Sequence, residues 1–229
     1  IKAVRVILPS QVVQVPYSGQ YDWWGNQGNL IDTKLTRTVD LTGKSTATLT
    51  FWTWYDIENY WDFGFVQVST DGGATWTSLY DVEGRVTTAH DPEAMQEIVD
   101  NLPGFTASSG GWVHETFDLT PYKGQVIKLR FRYMTDWGTY LLGWYVDDIT
   151  ITADGATIFF DDVETLAPGW TAEYWVRSKA VIKAHYYMME WRNFAGFDQS
   201  LQYCYSWPST YYYNLGYAER YSYNPGLLL

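Results

Sequence analysis

Residues 51–76 read FWTWYDIENYWDFGFVQVSTDGGATW, and their pattern decides the fold. The opening run has the period-2 character of a half-buried β-strand. Carboxylates follow at Asp56, Glu58 and Asp62. A second strand then enters the turn Ser69-Thr70-Asp71-Gly72-Gly73-Ala74-Thr75-Trp76, which fits the Asp-box pattern S-x-D-x-G-x-T-W. In such a turn the aspartate bonds turn amides, the glycines permit positive φ, and the tryptophan packs back on the hairpin. The pattern marks a secreted-type β-sandwich and not a catalytic centre.

Composition agrees. The 229 residues can form one large β-domain, or a domain with a substantial appendage. Aromatic residues make up 19% of the chain, with 13 Trp and 20 Tyr. Such side chains favour strands and keep a polar handle for wet surfaces or sugar rings. A net charge of −11 repels nucleic acid and anionic membranes and makes divalent cations the natural partners of clustered acids. A lone cysteine, Cys204, excludes an internal disulfide framework, and its Tyr and Trp neighbours suggest a packed thiol. No apolar run reaches the ~18 residues a membrane span requires. The opening IKAVRVILPSQVV is broken by Pro9 and has no basic-then-apolar leader, so the expectation is a mature piece of a secreted protein, or a fragment of one.

Working outward, strands are expected over 35–40, 46–56, 63–70, 75–80, 112–119, 125–133, 143–152 and 157–160. In 125–133, Val126, Lys128, Arg130 and Arg132 face one way, and Ile127, Leu129, Phe131 and Tyr133 the other. Asp91-Pro92-Glu93 opens the one expected helix, with Asp91 as N-cap and Pro92 at N1, ending before Pro103. The fold class is all-β: a jelly-roll antiparallel β-sandwich with one short helical insertion and a β-rich C-terminal appendage. The expected divisions are an extended N-terminal segment over 1–16, the sandwich over 17–165, and an aromatic-rich segment over 166–229 beyond a seam at Ala167-Pro168-Gly169. Met188–Trp191 reads as extended, with the Tyr-rich tail pairing to it. The apolar end Leu227-Leu228-Leu229 suggests truncation of a longer protein.

WTWYDIENYWDFGFVQVSTDGGATW, SSGGWVHETFDLTPYKGQVIKLRFRYMTD, GWYVDDITIT and IFFDDVE together resemble the immune inhibitor A family of secreted bacterial metallopeptidases. YYMMEWRNFAGFDQSL and YSYNPGLLL are similar to it in the same order, so the likeness runs over roughly 17–229, with EWRN-x-x-G-x-D its more specific part. The resemblance implies a calcium-binding, MAM-like sandwich placed after a zinc protease domain, with 185–229 packing against the rest of the enzyme. The family's His-Glu-x-x-His helix is absent: His90, His114 and His185 have no second histidine four residues away.

Calcium is therefore the expected cofactor, and no zinc site is. Its candidate ligands are Asp147, Asp148, Asp162 and Glu164, together with Asp56, Glu58 and Asp62. Calcium takes six to eight oxygens, and of the adjacent Asp147 and Asp148 one must face inward, where it needs a counter-charge. The loop Asp22 to Asp32, with Asn26 and Asn29, also offers oxygens, although these are ordinary turn residues. Trp23, Trp24, Tyr60, Trp61, Trp137 and Tyr140 are candidates for stacking on sugar rings. Asp147 and Asp148 point apart and do not make a glycosidase pair, and no G-x-S-x-G elbow occurs. The expected function is the noncatalytic, calcium-stabilised part of a secreted metallopeptidase, orienting the enzyme or docking it on substrate or surface. The partners are the missing protease domain, neighbouring copies, or a polysaccharide or cell-surface ligand. The alternatives are a self-assembling surface-layer or filament subunit joined by strand complementation, and a carbohydrate-binding module.

Overall fold

The computed structural model describes residues 3–165, 169–192 and 226–228. The chain forms two compact units, Gln14–Ala180 on one hand and Ile1–Val13 with Val181–Leu229 on the other. The larger unit is a β-sandwich. One sheet has the order β13-β3-β10-β5-β8, with β11 also on β10: β3 (Asp22–Trp24), β5 (Ala47–Asp56), β8 (Val113–Asp118), β10 (Gly143–Ala153), β11 (Ala156–Asp161) and β13 (Val176–Ser178). The other has the order β12-β4-β9-β6-β7: β4 (Asp32–Asp40), β6 (Phe63–Ser69), β7 (Thr77–Ser78), β9 (Val126–Met134) and β12 (Trp170–Glu173). All the strand pairings that build these sheets are antiparallel.

Alternation in β5 puts Ala47, Leu49, Phe51, Thr53 and Tyr55 inside and leaves Thr48, Thr50, Trp52, Trp54 and Asp56 on the half-exposed side. In β9, Ile127, Leu129, Phe131 and Tyr133 are buried and meet that face. Phe51 lies edge-on to Phe131, their ring centres 5.0 Å apart. Trp144 of β10 is fully buried between Phe131 and Trp175, and its indole N–H donates to Thr53 Oγ1 at 2.7 Å. Burying that polar handle costs little because it is satisfied.

β6 is buried on both faces, because a second apolar cluster of Phe63, Phe65, Met134 and Ile98 covers its outer side. Ile98 comes from the helical insertion, α1 (Gln96–Val99). This helix is shorter than the sequence suggested, and Asp91 does not cap it. Asp91 Oδ1 accepts the amide of Glu93 at 2.9 Å and its carbonyl accepts that of Ala94, so the Asp-Pro pair closes a turn; Met95 occupies the cap position.

The Asp box closes the hairpin from β6 to β7 as its residues dictate. Both Asp71 oxygens accept the Thr75 amide, Ser69 Oγ donates to Asp71 at 2.7 Å, and the Trp76 indole donates to the Gly73 carbonyl at 3.0 Å. Gly73 has φ +103°, a conformation L side chains rarely adopt.

In the smaller unit, β1 (Ala3–Ile7) and β16 (Gly226–Leu228) flank β15 (Tyr186–Arg192), and β2 (Gln11–Gln14) pairs with β14 (Val181–Lys183). Cys204 lies outside the described residues, as does most of the Tyr-rich tail.

Candidate metal centre

Past the end of β5, the chain turns tightly. The Asp62 amide donates to the Glu58 carbonyl at 3.1 Å, and the Tyr60 amide to Thr106 Oγ1 at 2.8 Å, so Glu58 and Asp62 emerge side by side. Asp62 leads directly into β6, which pairs with β9 in the register Phe63–Met134. That register brings the residues after β9 next to the turn. Thr135 is tied to Ile31 and Gly28, and the Asp136 amide donates to Asp62 Oδ1 at 3.0 Å. Glu58, Asp62 and Asp136 each present a carboxylate oxygen within 4.8 Å of the others.

No cation among the described side chains bridges to any of the three. Asp62 and Asp136 are 0% and 2% exposed. Asp136 Oδ1 accepts the Gly138 amide at 2.7 Å, but Asp62 Oδ2 is buried without a partner. Burial first, then its acidic neighbours Asp136 and Glu58, push the Asp62 carboxyl up to about 7. The same two causes raise Glu58. The Tyr133 hydroxyl, also buried, lies beside Asp62, and burial first, then the nearby acids and its contact with Asp62, raise it well above the phenol range. Such a group holds a divalent cation or takes up protons, since three charges this close and this dry cannot all persist alone.

The other candidate acids are elsewhere. Asp147 is fully buried, and its oxygens accept the amides of Ser18 at 3.0 Å and Asp148 at 2.8 Å. The register shift between Asp147 and Thr150, with Asp148 at φ +48°, lets both adjacent aspartates serve one loop. Asp148 Oδ1 accepts the Ser18 hydroxyl, and Glu164 Oε1 accepts the amides of Gln20 and Tyr21 at 2.7 and 2.8 Å. Asp162 Oδ1 takes the Glu164 amide in a local turn. These acids grip the loop 18–21. Next to them Asp22, fully buried, accepts from Gln14 Nε2 at 2.6 Å and leaves Oδ1 unpartnered. Burial raises both Asp22 and Asp147 to about 7. Asp56 ends β5 with its carboxyl raised by burial, but stands outside the three-carboxylate group.

A second three-acid group joins Asp81, Glu83 and Glu115. Here the protein supplies its own cation, since Arg85 Nη1 lies 3.0 Å from Glu115 Oε1. Of the aromatic candidates, Trp23 is buried and donates to Asp161, and Trp24 stacks on Tyr145. Tyr60, Trp137 and Tyr140 are exposed, and Trp61 meets Trp137 edge-on at 6.1 Å. Residues 60 and 61 lie in the turn bearing Glu58 and Asp62, and 137 follows Asp136.

Residues 2–180 match the immune inhibitor A-like MAM domain. The chain belongs to that family. Pre-pro-metalloprotease PrtV of Vibrio cholerae is 29% identical over 99% of the chain, and immune inhibitor A of Bacillus thuringiensis subsp. alesti is 31% identical over 87%. Bacillopeptidase F of Bacillus subtilis is 25% identical over 47%. The chain spans 22% of the Vibrio protein's length and 27% of the immune inhibitor A length. This MAM domain carries no His-Glu-x-x-His anywhere in its sequence. Among the described residues no helix is long and apolar enough to cross a membrane, which says nothing about β-barrels.

Proposed function

We propose that the chain is the noncatalytic, calcium-stabilised β-sandwich portion of a secreted metallopeptidase of the immune inhibitor A type, orienting the enzyme and docking it on substrate or surface. The observation carrying the calcium reading is the buried, unpartnered oxygen of Asp62 between Glu58 and Asp136. The donors are all hard oxygens with no imidazole or thiolate among them, which favours calcium over zinc. Glu58, Asp62 and Asp136 would hold the ion, and backbone carbonyls and water would complete its shell. The ion supplies positive charge where the fold has gathered negative charge, and clamps the 58–62 turn to the end of β9. Asp147, Asp148 and Glu164 we assign instead to loop anchoring, because both Asp147 oxygens and one oxygen each of Asp148 and Glu164 already accept from amides and a hydroxyl.

The docking part rests on Tyr60, Trp61 and Trp137, which ride on the same two turns. Their polar-tipped rings suit a wet contact with a protein or glycan surface. The strand-complementation alternative is less favoured, since β1 and β16 already flank β15 of their own chain. Calorimetric titration of calcium into the chain tests the ion, with one site expected and its loss in Asp62→Asn. Trp137→Ala in the whole protein is expected to slow cleavage of a protein substrate and spare a short peptide. Equal slowing of both would sink the docking role.

A further inference from the structure

The outer face of the five-stranded sheet carries a feature that the metal centre leaves unused. Lys128, Arg130 and Arg132 of β9 share that face, and Lys34 of β4 lies opposite Arg132 in register. Two of these four cations are neutralised. Arg132 makes two bonds to Asp32, at 2.7 and 2.9 Å, and Lys34 lies 2.9 Å from Asp32 and 3.8 Å from Glu173. The other two, Arg130 and Lys128, have no carboxylate within ion-pair distance among the described residues. Both line one hollow of about 350 Å³, together with Trp76, Thr36, Thr171 and Glu173.

Arg130 is 7% exposed, and its only hydrogen bond among the described residues is from Nε to Gln67 Oε1, at 2.7 Å. Its guanidinium lies 3.8 Å from the centre of the Trp76 ring, so the Asp-box tryptophan holds one face of the plane. Burial first, then the neighbouring Arg132, bring its pKa down to about 10, a fall that the more distant Asp32 and Glu173 offset only in part. A guanidinium fixed at Nε and stacked on an indole presents its remaining N–H groups in a set direction. That is the geometry for a carboxylate, which it takes bidentately. Gly73, bare of side chain, leaves room for Lys128 Nζ beside the indole.

We propose that this hollow binds a carboxylate-bearing sugar unit, a uronic acid, its carboxylate between Arg130 and Lys128 and its hydroxyls toward Thr36, Thr171 and Glu173. Two observations select this ligand over other acids. The walls mix two hydroxyls and one carboxylate acceptor with the cations, which matches a ring carrying several hydroxyls and one charge. The chain as a whole is at −11, which penalises densely charged polyanions and spares an isolated carboxylate. This site is separate from the Glu58–Asp62–Asp136 group and does not depend on calcium there.

The test is calorimetric titration with galacturonic acid, its neutral counterpart galactose, sodium sulfate and a tripeptide with a single glutamate. The uronate is expected to bind at least about tenfold more tightly than each of the other three, and to weaken as salt rises from about 50 to about 500 mM. Arg130→Gln and Lys128→Gln are each expected to weaken it about tenfold or more, while Lys44→Gln on a distant turn leaves it unchanged. Arg130 also supports Gln67 and Trp76, so Lys128→Gln with an unchanged melting temperature is the cleaner variant. The proposal falls if the neutral sugar, sulfate or the peptide binds as well as the uronate, if nothing binds, or if Lys128→Gln binds normally.

Discussion

Removing the Asp62 charge should make the metal-free protein more stable, while abolishing its response to calcium. Asp62 is fully buried, and its carboxyl is raised from 3.8 to about 7 when no ion is present. A carboxyl raised in the folded state contributes stability below its unfolded pKa and loses it as pH climbs through the folded one. Without metal, the contribution from Asp62 should therefore decline between about pH 4 and pH 7. At about 1.4 kcal/mol per pKa unit, a shift of about three units sets a ceiling near 4 kcal/mol. Asp62→Asn keeps the Oδ1 acceptor for the Asp136 amide and cancels that decline. Calcium at the proposed site should act oppositely on the wild type. At a hundredfold excess over its dissociation constant it adds about 2.7 kcal/mol, or roughly 5–10 °C in melting temperature for a chain of this size.

Asp22, Asp147 and Glu115 are also raised by burial, so the pH slope of the wild type alone would not identify the site. The difference between wild type and Asp62→Asn does. The assay is scanning calorimetry of both proteins from pH 5 to pH 8, in EDTA and in excess calcium. Expected are a calcium-dependent rise in the wild type only, growing with pH, and a variant that melts above the wild type in EDTA at pH 8. Identical melting of the wild type with and without calcium, or a variant destabilised in EDTA at every pH, would refute the electrostatic reasoning.

Three further outcomes follow from local geometry. A Cβ at Gly64 would lie 2.8 Å from the Trp144 ring, so Gly64→Ala should cost about 1–3 kcal/mol in chemical denaturation. Trp144→Ala should cost about 3–5 kcal/mol, since it empties the centre of the sandwich and removes the indole donor to Thr53 Oγ1, whose hydroxyl keeps its bond to the Tyr145 carbonyl. Hydrogen bonds from Thr75 and Ser69 hold the Asp71 carboxyl well below the usual range, so its contribution is present above about pH 4 and fades in acid. Asp71→Ala should accordingly lower the melting temperature at pH 7, and by less at pH 3.

Strands with one buried face were legible because a period-2 pattern has only one way to face a core. β5 behaves in this way, and so does β9 apart from Arg130 and Met134, which are buried on its outer face. β6 is buried throughout, because the short helix that covers it is a tertiary partner its own residues do not announce. Asp91 followed by proline suits a helix cap and a turn equally well, and the local hydrogen bonds decided for the turn. Glu58 and Asp62 stand out in the sequence as acids four apart after a strand. Their neighbour Asp136 gives no such signal, for it lies 74 residues beyond Asp62 and meets it only through the pairing of β6 with β9.

Register also explains why the two faces of that sheet end do different things. Pairing Phe63 with Met134 aligns the strand ends so that the acids on either side converge, where no cation among the described residues reaches them. Further along the same pair, Gln67 opposes Arg130, so a neutral amide, and not a carboxylate, meets the buried guanidinium. Had the register slipped by two residues, Arg132 would stand opposite Gln67, and the acids at the strand ends would move apart. The unmatched negative charge at one end and the unmatched positive charge on the outer face are thus consequences of one alignment.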